Sequence, residues 1–116
     1  MTPDAGDILH LSVDPASGRE MKGDHYCVVL TPKAFNSKFG SAWTCPVTTG
    51  RQEIARGLTA VTLMGTGSKV SGIALCHQIK ALDWSARRAT LADRIKGAAL
   101  TEILDICSAI IDPERR

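Results

Sequence analysis

Short runs in which apolar and polar residues alternate, each stopped by Gly, Pro or Asp, recur through most of this chain. That punctuation constrains the fold more than any other feature. Ile8-Leu9-His10-Leu11-Ser12-Val13 puts Leu9, Leu11 and Val13 on one face, the period of two that marks a strand. Asp14-Pro15-Ala16-Ser17-Gly18 then stops it, because Pro lacks an N–H and Gly accepts positive φ. Similar runs follow at His25–Leu30, Ser41–Thr48, Leu58–Leu63 and Val70–Cys76, with polar, loop-like stretches at 19–24 and 51–57. Thr31-Pro32-Lys33-Ala34-Phe35-Asn36 offers a cap residue and then Pro at the first helical position, which predicts a single helical turn. Asp83 to Arg94 is ambiguous, compatible with a turn and a further short strand. Five short strands with Gly-rich links predict a small curled antiparallel sheet or barrel, mainly β with some α.

The end of the chain changes period. Leu100, Ile103, Leu104, Cys107, Ile110 and Ile111 fall at offsets of 0, 3, 4, 7, 10 and 11, one apolar stripe on a 3.6-residue repeat. Glu102, Asp105 and Ser108 take the other face and Pro113 ends the segment, so a C-terminal helix is predicted from Ala98. A helix with one apolar face must pack on something, and the sheet is its partner.

A length of 116 residues fits one domain, 1–116, since two separate cores would each be too small. No apolar run approaches the roughly 20 residues of a membrane span. The start, Met-Thr-Pro-Asp-Ala-Gly-Asp, lacks the basic and apolar segments of a secretion signal, so a soluble, cytoplasmic protein is expected. Charge is unevenly spread. Residues 15–100 hold 12 Lys/Arg against 5 Asp/Glu, while the two ends together hold 7 acids against 2 bases. That asymmetry points to an anionic partner for the middle of the chain.

Cys27, Cys45, Cys76 and Cys107 form no C-x-x-C pair, which argues against a zinc site. Each lies in an apolar run, so all four are expected as free thiols packed in the core. No metal or other cofactor is predicted.

Order and residues together resemble the PemK/MazF family of toxin–antitoxin toxins. The matching pieces are Gly6-Asp7-Ile8, then Asp14-Pro15-Ala16-Ser17-Gly18-Arg19-Glu20 as the D-P-x-x-G-x-E loop. Val28-Val29-Leu30-Thr31-Pro32-Lys33-Ala34-Phe35-Asn36 and the strand end Cys45-Pro46-Val47-Thr48-Thr49 come next, followed by Ser71-Gly72-Ile73 through Gln78 and Leu82-Asp83-Trp84-Ser85-Ala86-Arg87. The resemblance spans about residues 6–111 and implies an SH3-like barrel of the PemK/MazF/CcdB type with a C-terminal helix. It also implies metal-independent cleavage of single-stranded RNA, in which a 2′-hydroxyl attacks the adjacent phosphate to leave a 2′,3′-cyclic phosphate and a 5′-hydroxyl. Such chemistry needs a base near the 2′-oxygen, an acid near the leaving 5′-oxygen, and donors or cations around the phosphate.

Several positions depart from the family pattern. Where the family reads E-x-x-G-x-R-P, this chain reads Glu20-Met21-Lys22-Gly23-Asp24-His25-Tyr26, with His in place of the catalytic Arg. His77 stands where many members have Asp, Leu75 replaces an Arg, and Arg19 occupies a position that is His in some. The resemblance therefore places the chemistry on His25, Thr48, His77 and Glu20, with His25 and His77 as a paired-imidazole acid and base, since imidazoles titrate near neutrality. Arg19, Lys22, Thr49 and Arg87 are the expected RNA contacts. Asp83 and Trp84 are assigned to packing and turn formation. Aromatic residues are few (Tyr26, Phe35, Phe39, Trp43, Trp84), which favours short-motif recognition over base stacking along a tract.

By resemblance the chain forms a homodimer with RNA in a groove across the interface, blocked by a cognate antitoxin whose acidic segment folds on binding. Two other readings stay open: a gyrase-poisoning toxin of the same barrel, and a nucleic-acid- or partner-binding barrel whose His substitutions have weakened catalysis.

Overall fold

The computed structural model describes residues 1–12, 24–48 and 59–114. Along them run β1 (Asp7–Ser12), β2 (Asp24–Val29), helix α1 (Lys33–Phe39), β3 (Ala42–Thr48), β4 (Ala60–Thr62), β5 (Ile73–Leu75), β6 (Lys80–Leu82), β7 (Thr90–Arg94) and helix α2 (Ala98–Ile111). The strands make one antiparallel sheet in the order β4-β5-β3-β2-β1-β7. Strand β3 pairs with β2 along one edge and shares its other edge between two partners. Its end, Val47 and Thr48, takes β5, and its start, Ala42 to Thr44, takes β6.

Seven strands, not five, are present among the described residues. Lys80-Ala81-Leu82 carries no period of two long enough to signal a strand. It becomes one because the first half of β3 would otherwise leave a row of backbone donors and acceptors unpaired. The segment 83–94 resolves into a turn, with Asp83 Oδ1 accepting the Ala86 N–H at 3.0 Å, and then β7 against β1. The strand expected over 70–76 is shorter, Ile73–Leu75. Helix α1 is longer than the single turn expected and begins after Pro32, which occupies the flanking cap position. Thr31 does not cap it; its hydroxyl donates to Asn36 Oδ1 at 2.5 Å.

Both faces of the sheet are covered, which explains why Ile8, Leu9 and Leu11 are all buried in one strand. On one face Ile8, Val28, Cys45, Val47, Val61 and Ala74 meet Ile103 and Cys107 of α2, the stripe anticipated from the helical repeat. On the other, Leu9, Leu11, Cys27, Val29 and Ala42 meet Leu82 and Trp84. Trp84 also donates its indole N–H to the Met1 carbonyl at 3.1 Å, tying the 83–89 turn to the start of the chain. Its packing role is thereby met. A fully buried Ile103 side chain contributes about 1.5–3 kcal/mol of transfer free energy. All four cysteines are free and buried, as expected.

The opening residues are fixed by polar contacts. Asn36, fully buried, donates to the carbonyls of Pro3 and Thr31, each at 2.9 Å. Gly6 has φ +93°, and its carbonyl accepts the Ile95 N–H at 2.8 Å. A side chain there would collide with the Ile95 carbonyl oxygen, so glycine is required.

Candidate active site

Backbone register brings two of the expected residues together. The β2–β3 pairs run Val29–Thr44, Val28–Cys45, Cys27–Pro46 and Tyr26–Val47. One further step sets His25 level with Thr48. Thr48 is opposite Ile73, Ile73 is opposite Thr62, and His25 is opposite Leu11. Residues directly opposed on antiparallel strands point to the same face. Leu11, His25, Thr48, Ile73 and Thr62 therefore form one row across five strands, on the face that also carries Leu9 and Cys27. His25 is half-buried and Thr48 is buried at 6 % exposure. A ring and a hydroxyl held on neighbouring strands of a packed sheet are pre-positioned for a common ligand.

Arg87 lies in the 83–89 turn and is half-buried. That turn packs on the same face, through Trp84 and Ala89 against the cluster containing Leu11. Glu20, Arg19, Lys22 and Thr49 lie outside the described residues, as does the D-P-x-x-G-x-E loop.

His77 is elsewhere. It sits in the turn after β5, past Cys76, whose N–H donates to the Thr59 carbonyl at 2.9 Å. Ile73, not His77, is the residue of this segment in the His25 row. Within one protomer His77 lies four residues beyond Ile73, past the end of β5, and two strands, roughly 10 Å, across from His25. The paired-imidazole arrangement is not assembled within the chain. His77 is exposed, its Nδ1 lying 3.1 Å from Thr59 Oγ1 and its Nε2 3.4 Å from Gln78 Nε2. Nothing in the local sequence signals Thr59; the β4–β5 register is what places it beside His77.

Known proteins share this scaffold. A family model for the PemK-like, MazF-like toxin of type II toxin–antitoxin systems matches residues 4–111. The chain belongs to this family. The endoribonuclease toxin MazF of Escherichia coli (strain K12) is 34 % identical over 110 residues, covering 95 % of this chain and 91 % of that protein. A crystal structure of MazF from Deinococcus radiodurans superposes with a TM-score of 0.84 at 32 % identity, over 96 % of this chain and 97 % of that one. MazF in a MazE–MazF crystal structure from the same organism gives 0.76 at 28 % identity, over 97 % of each chain.

On this MazF-like scaffold all four cysteines are buried. Burial pushes the Cys27 thiol up to about 12, against weaker opposing hydrogen bonds from the Thr44 side chain and the Leu9 backbone. The Cys107 thiol is raised still further by its hydrogen bond with Cys76 and by burial. Nor are the aromatic residues laid out along the row. Phe35, Phe39 and Trp43 cluster around α1, with ring centroids 4.8 and 6.0 Å apart, and Tyr26 meets His10 at 5.1 Å in a tilted contact on the opposite sheet face. Among the described residues, no three His, Cys, Asp or Glu side chains are grouped to hold a metal ion.

Proposed function

We propose that this MazF-like chain is the toxin of a type II toxin–antitoxin system, a metal-independent, sequence-preferring endoribonuclease that cuts single-stranded mRNA and so stops growth. The juxtaposition of His25 and Thr48 in one row carries this reading, together with a family whose curated relatives are endoribonucleases. The 2′-hydroxyl loses its proton and attacks the adjacent phosphorus, the P–O5′ bond breaks, and the 5′-oxygen takes a proton. The products are a 2′,3′-cyclic phosphate and a 5′-hydroxyl. Thr48 donates its hydroxyl to a non-bridging phosphate oxygen, where negative charge grows in the transition state. His25, in the place of the family's Arg, moves a proton and as imidazolium neutralises the phosphate. Glu20 is the second proton carrier or holds His25 in position. Arg19, Lys22, Thr49 and Arg87 contact the RNA.

His77 is assigned to RNA contact rather than proton transfer, because both its ring nitrogens already face partners and it stands outside the row. The protein acts in the cytoplasm as a homodimer and is silenced by a cognate antitoxin, as the MazE–MazF pairing of its structural relative exemplifies. No helix among the described residues is long and apolar enough to cross a membrane.

The test is incubation of purified protein with a mixed-sequence RNA in EDTA, followed by mapping of 5′-hydroxyl ends. Clean cuts at a short motif, lost in His25→Ala and Thr48→Val, support the reading. Intact RNA overturns it: gyrase-dependent DNA breaks would then indicate a gyrase poison, and neither product a binding barrel.

A further inference from the structure

At the end of β1 remote from the His25 row lies a cleft of about 320 Å³ that the cleavage reaction does not use. It is lined by Thr2, Asp4, Ala5 and Asp7 of the opening segment, Lys33 at the start of α1, and Arg94, Ile95 and Lys96 at the end of β7. Three basic and two acidic residues line it, and both oxygens of the Asp7 carboxylate are already engaged. Asp7, 5 % exposed, accepts the Arg94 Nε–H at 3.0 Å and the Asp4 N–H at 2.9 Å. Asp4 accepts the N–H groups of Ala5 and Lys33 at 2.9 and 2.8 Å. Arg94 spends only Nε on Asp7, leaving its two terminal NH₂ groups for another acceptor. The ammonium groups of Lys33 and Lys96 have no ion-pair partner among the described residues.

Hydrogen bonds tie the frame of the cleft together. Fully buried Asn36 fastens Pro3 to the α1 start, the Asp7–Arg94 pair fastens β1 to β7, and Gly6 is locked against Ile95. Fixing three segments distant in sequence around a cavity lined by more cations than carboxylates favours an oxyanion ligand.

We propose that this cleft is a second phosphate-binding site, in which Arg94, Lys33 and Lys96 hold a phosphate group. Its mixed lining and small volume suit one phosphate or a nucleoside monophosphate, not a large ligand. Two sources share this chemistry: a backbone phosphate of the RNA strand outside the cleaved bond, and a free nucleotide. The RNA source rests on the endoribonuclease reading; phosphate binding itself does not.

The test titrates the full chain with inorganic phosphate and with 5′-AMP, following backbone amide shifts by NMR. Saturable shifts at Lys33 and 94–96, abolished in Lys33→Gln/Lys96→Gln with its amide spectrum otherwise unchanged, support the site. Absent saturation, or saturation untouched by the double variant, overturns it. Cleavage of short and long RNA then separates the sources. If RNA reaches the cleft, the double variant binds the long strand more weakly, and its slope of log affinity against log salt drops by about 0.7 for each phosphate no longer neutralised. Unchanged handling of both lengths, with 5′-AMP still displacing phosphate, assigns the site to a free nucleotide. Absence of RNA cleavage by the parent protein would remove the endoribonuclease reading while leaving the phosphate titration decisive.

Discussion

His25 and Thr48 occupy adjacent strands at the same level of the sheet, one register step beyond the Tyr26–Val47 pair. Their side chains therefore emerge on one face, and each should matter to the same step. Thr48→Val keeps volume and β-branching but removes the hydroxyl, so RNA cleavage should fall by about 10²–10³-fold, the usual cost of removing one transition-state donor. His25→Ala should cost about 10²–10⁴-fold. Initial rates on a defined RNA, beside thermal unfolding curves that match the parent protein, check both. Rate losses that merely follow unfolding would remove Thr48 and His25 from the chemistry.

His77 should behave differently. If a single imidazole, that of His25, moves the proton, the pH dependence of the rate survives His77→Ala and is lost in His25→Arg. The expected effect of His77→Ala is weaker substrate binding, seen in KM more than kcat. A pH–rate profile flattened by His77→Ala would restore the paired-histidine arrangement, with the second ring coming from another protomer.

Much of this architecture is legible in the sequence. The α2 stripe, the buried cysteines and five of the strands follow directly from apolar periodicity, because each element buries a face of its own. Strand β6 is hidden because it exists for its neighbour: Lys80 to Leu82 pair with Ala42 to Thr44 whatever their own pattern. The site divides in the same way. His25 and Thr48 are recognisable one by one, but their juxtaposition depends on register, which no local pattern encodes. The separation of His77 from His25 likewise depends on the turn after β5, where Cys76 pairs with Thr59.

Gly6 tests the frame of the second cleft. Alanine there meets both an unfavourable φ of +93° and a clash with the Ile95 carbonyl oxygen. Gly6→Ala should destabilise by about 2 kcal/mol or more, lowering Tm by roughly 5–10 °C. Alanine at Gly65, where φ is also positive but no atom lies within 4 Å, should cost less. Paired melting curves check the ranking, and equal losses would show that the Ile95 clash contributes nothing.

Asp93 couples stability to acid. The backbone N–H groups of Lys69 and Arg94, donating at 2.6 and 2.8 Å, hold its carboxyl below the usual carboxylate value. A folded-state value below the unfolded one means its contribution is present above the unfolded pKa and is lost as pH falls through the folded pKa. Asp93→Asn should therefore melt lower than the parent protein at pH 7, with the difference shrinking below about pH 4. A gap that stays constant down to about pH 2 would exclude this linkage.

The thiols give the sharpest chemical readout of the core. Cys27 is pushed up to about 12 by burial, with hydrogen bonds from Thr44 and Leu9 opposing. At pH 8 its thiolate fraction is then roughly 10⁻⁴, and the thiolate is the species that reacts. Cys76 is also raised to about 12: the Cys107 hydrogen bond lowers it, but a hydrogen bond to Cys45 and burial outweigh that effect. The Cys107 Sγ–H donates to the Cys76 carbonyl at 3.9 Å, so the two residues link α2 to the sheet. Iodoacetamide at pH 8 should therefore label none of the four cysteines in the folded protein, and all four together once denaturant unfolds it. Intact-mass spectrometry across a denaturant series reads the number of adducts directly. A single adduct appearing well below the unfolding midpoint would locate a local opening of the core, and peptide mapping would assign it to the α2 side or the Trp84 side of the sheet.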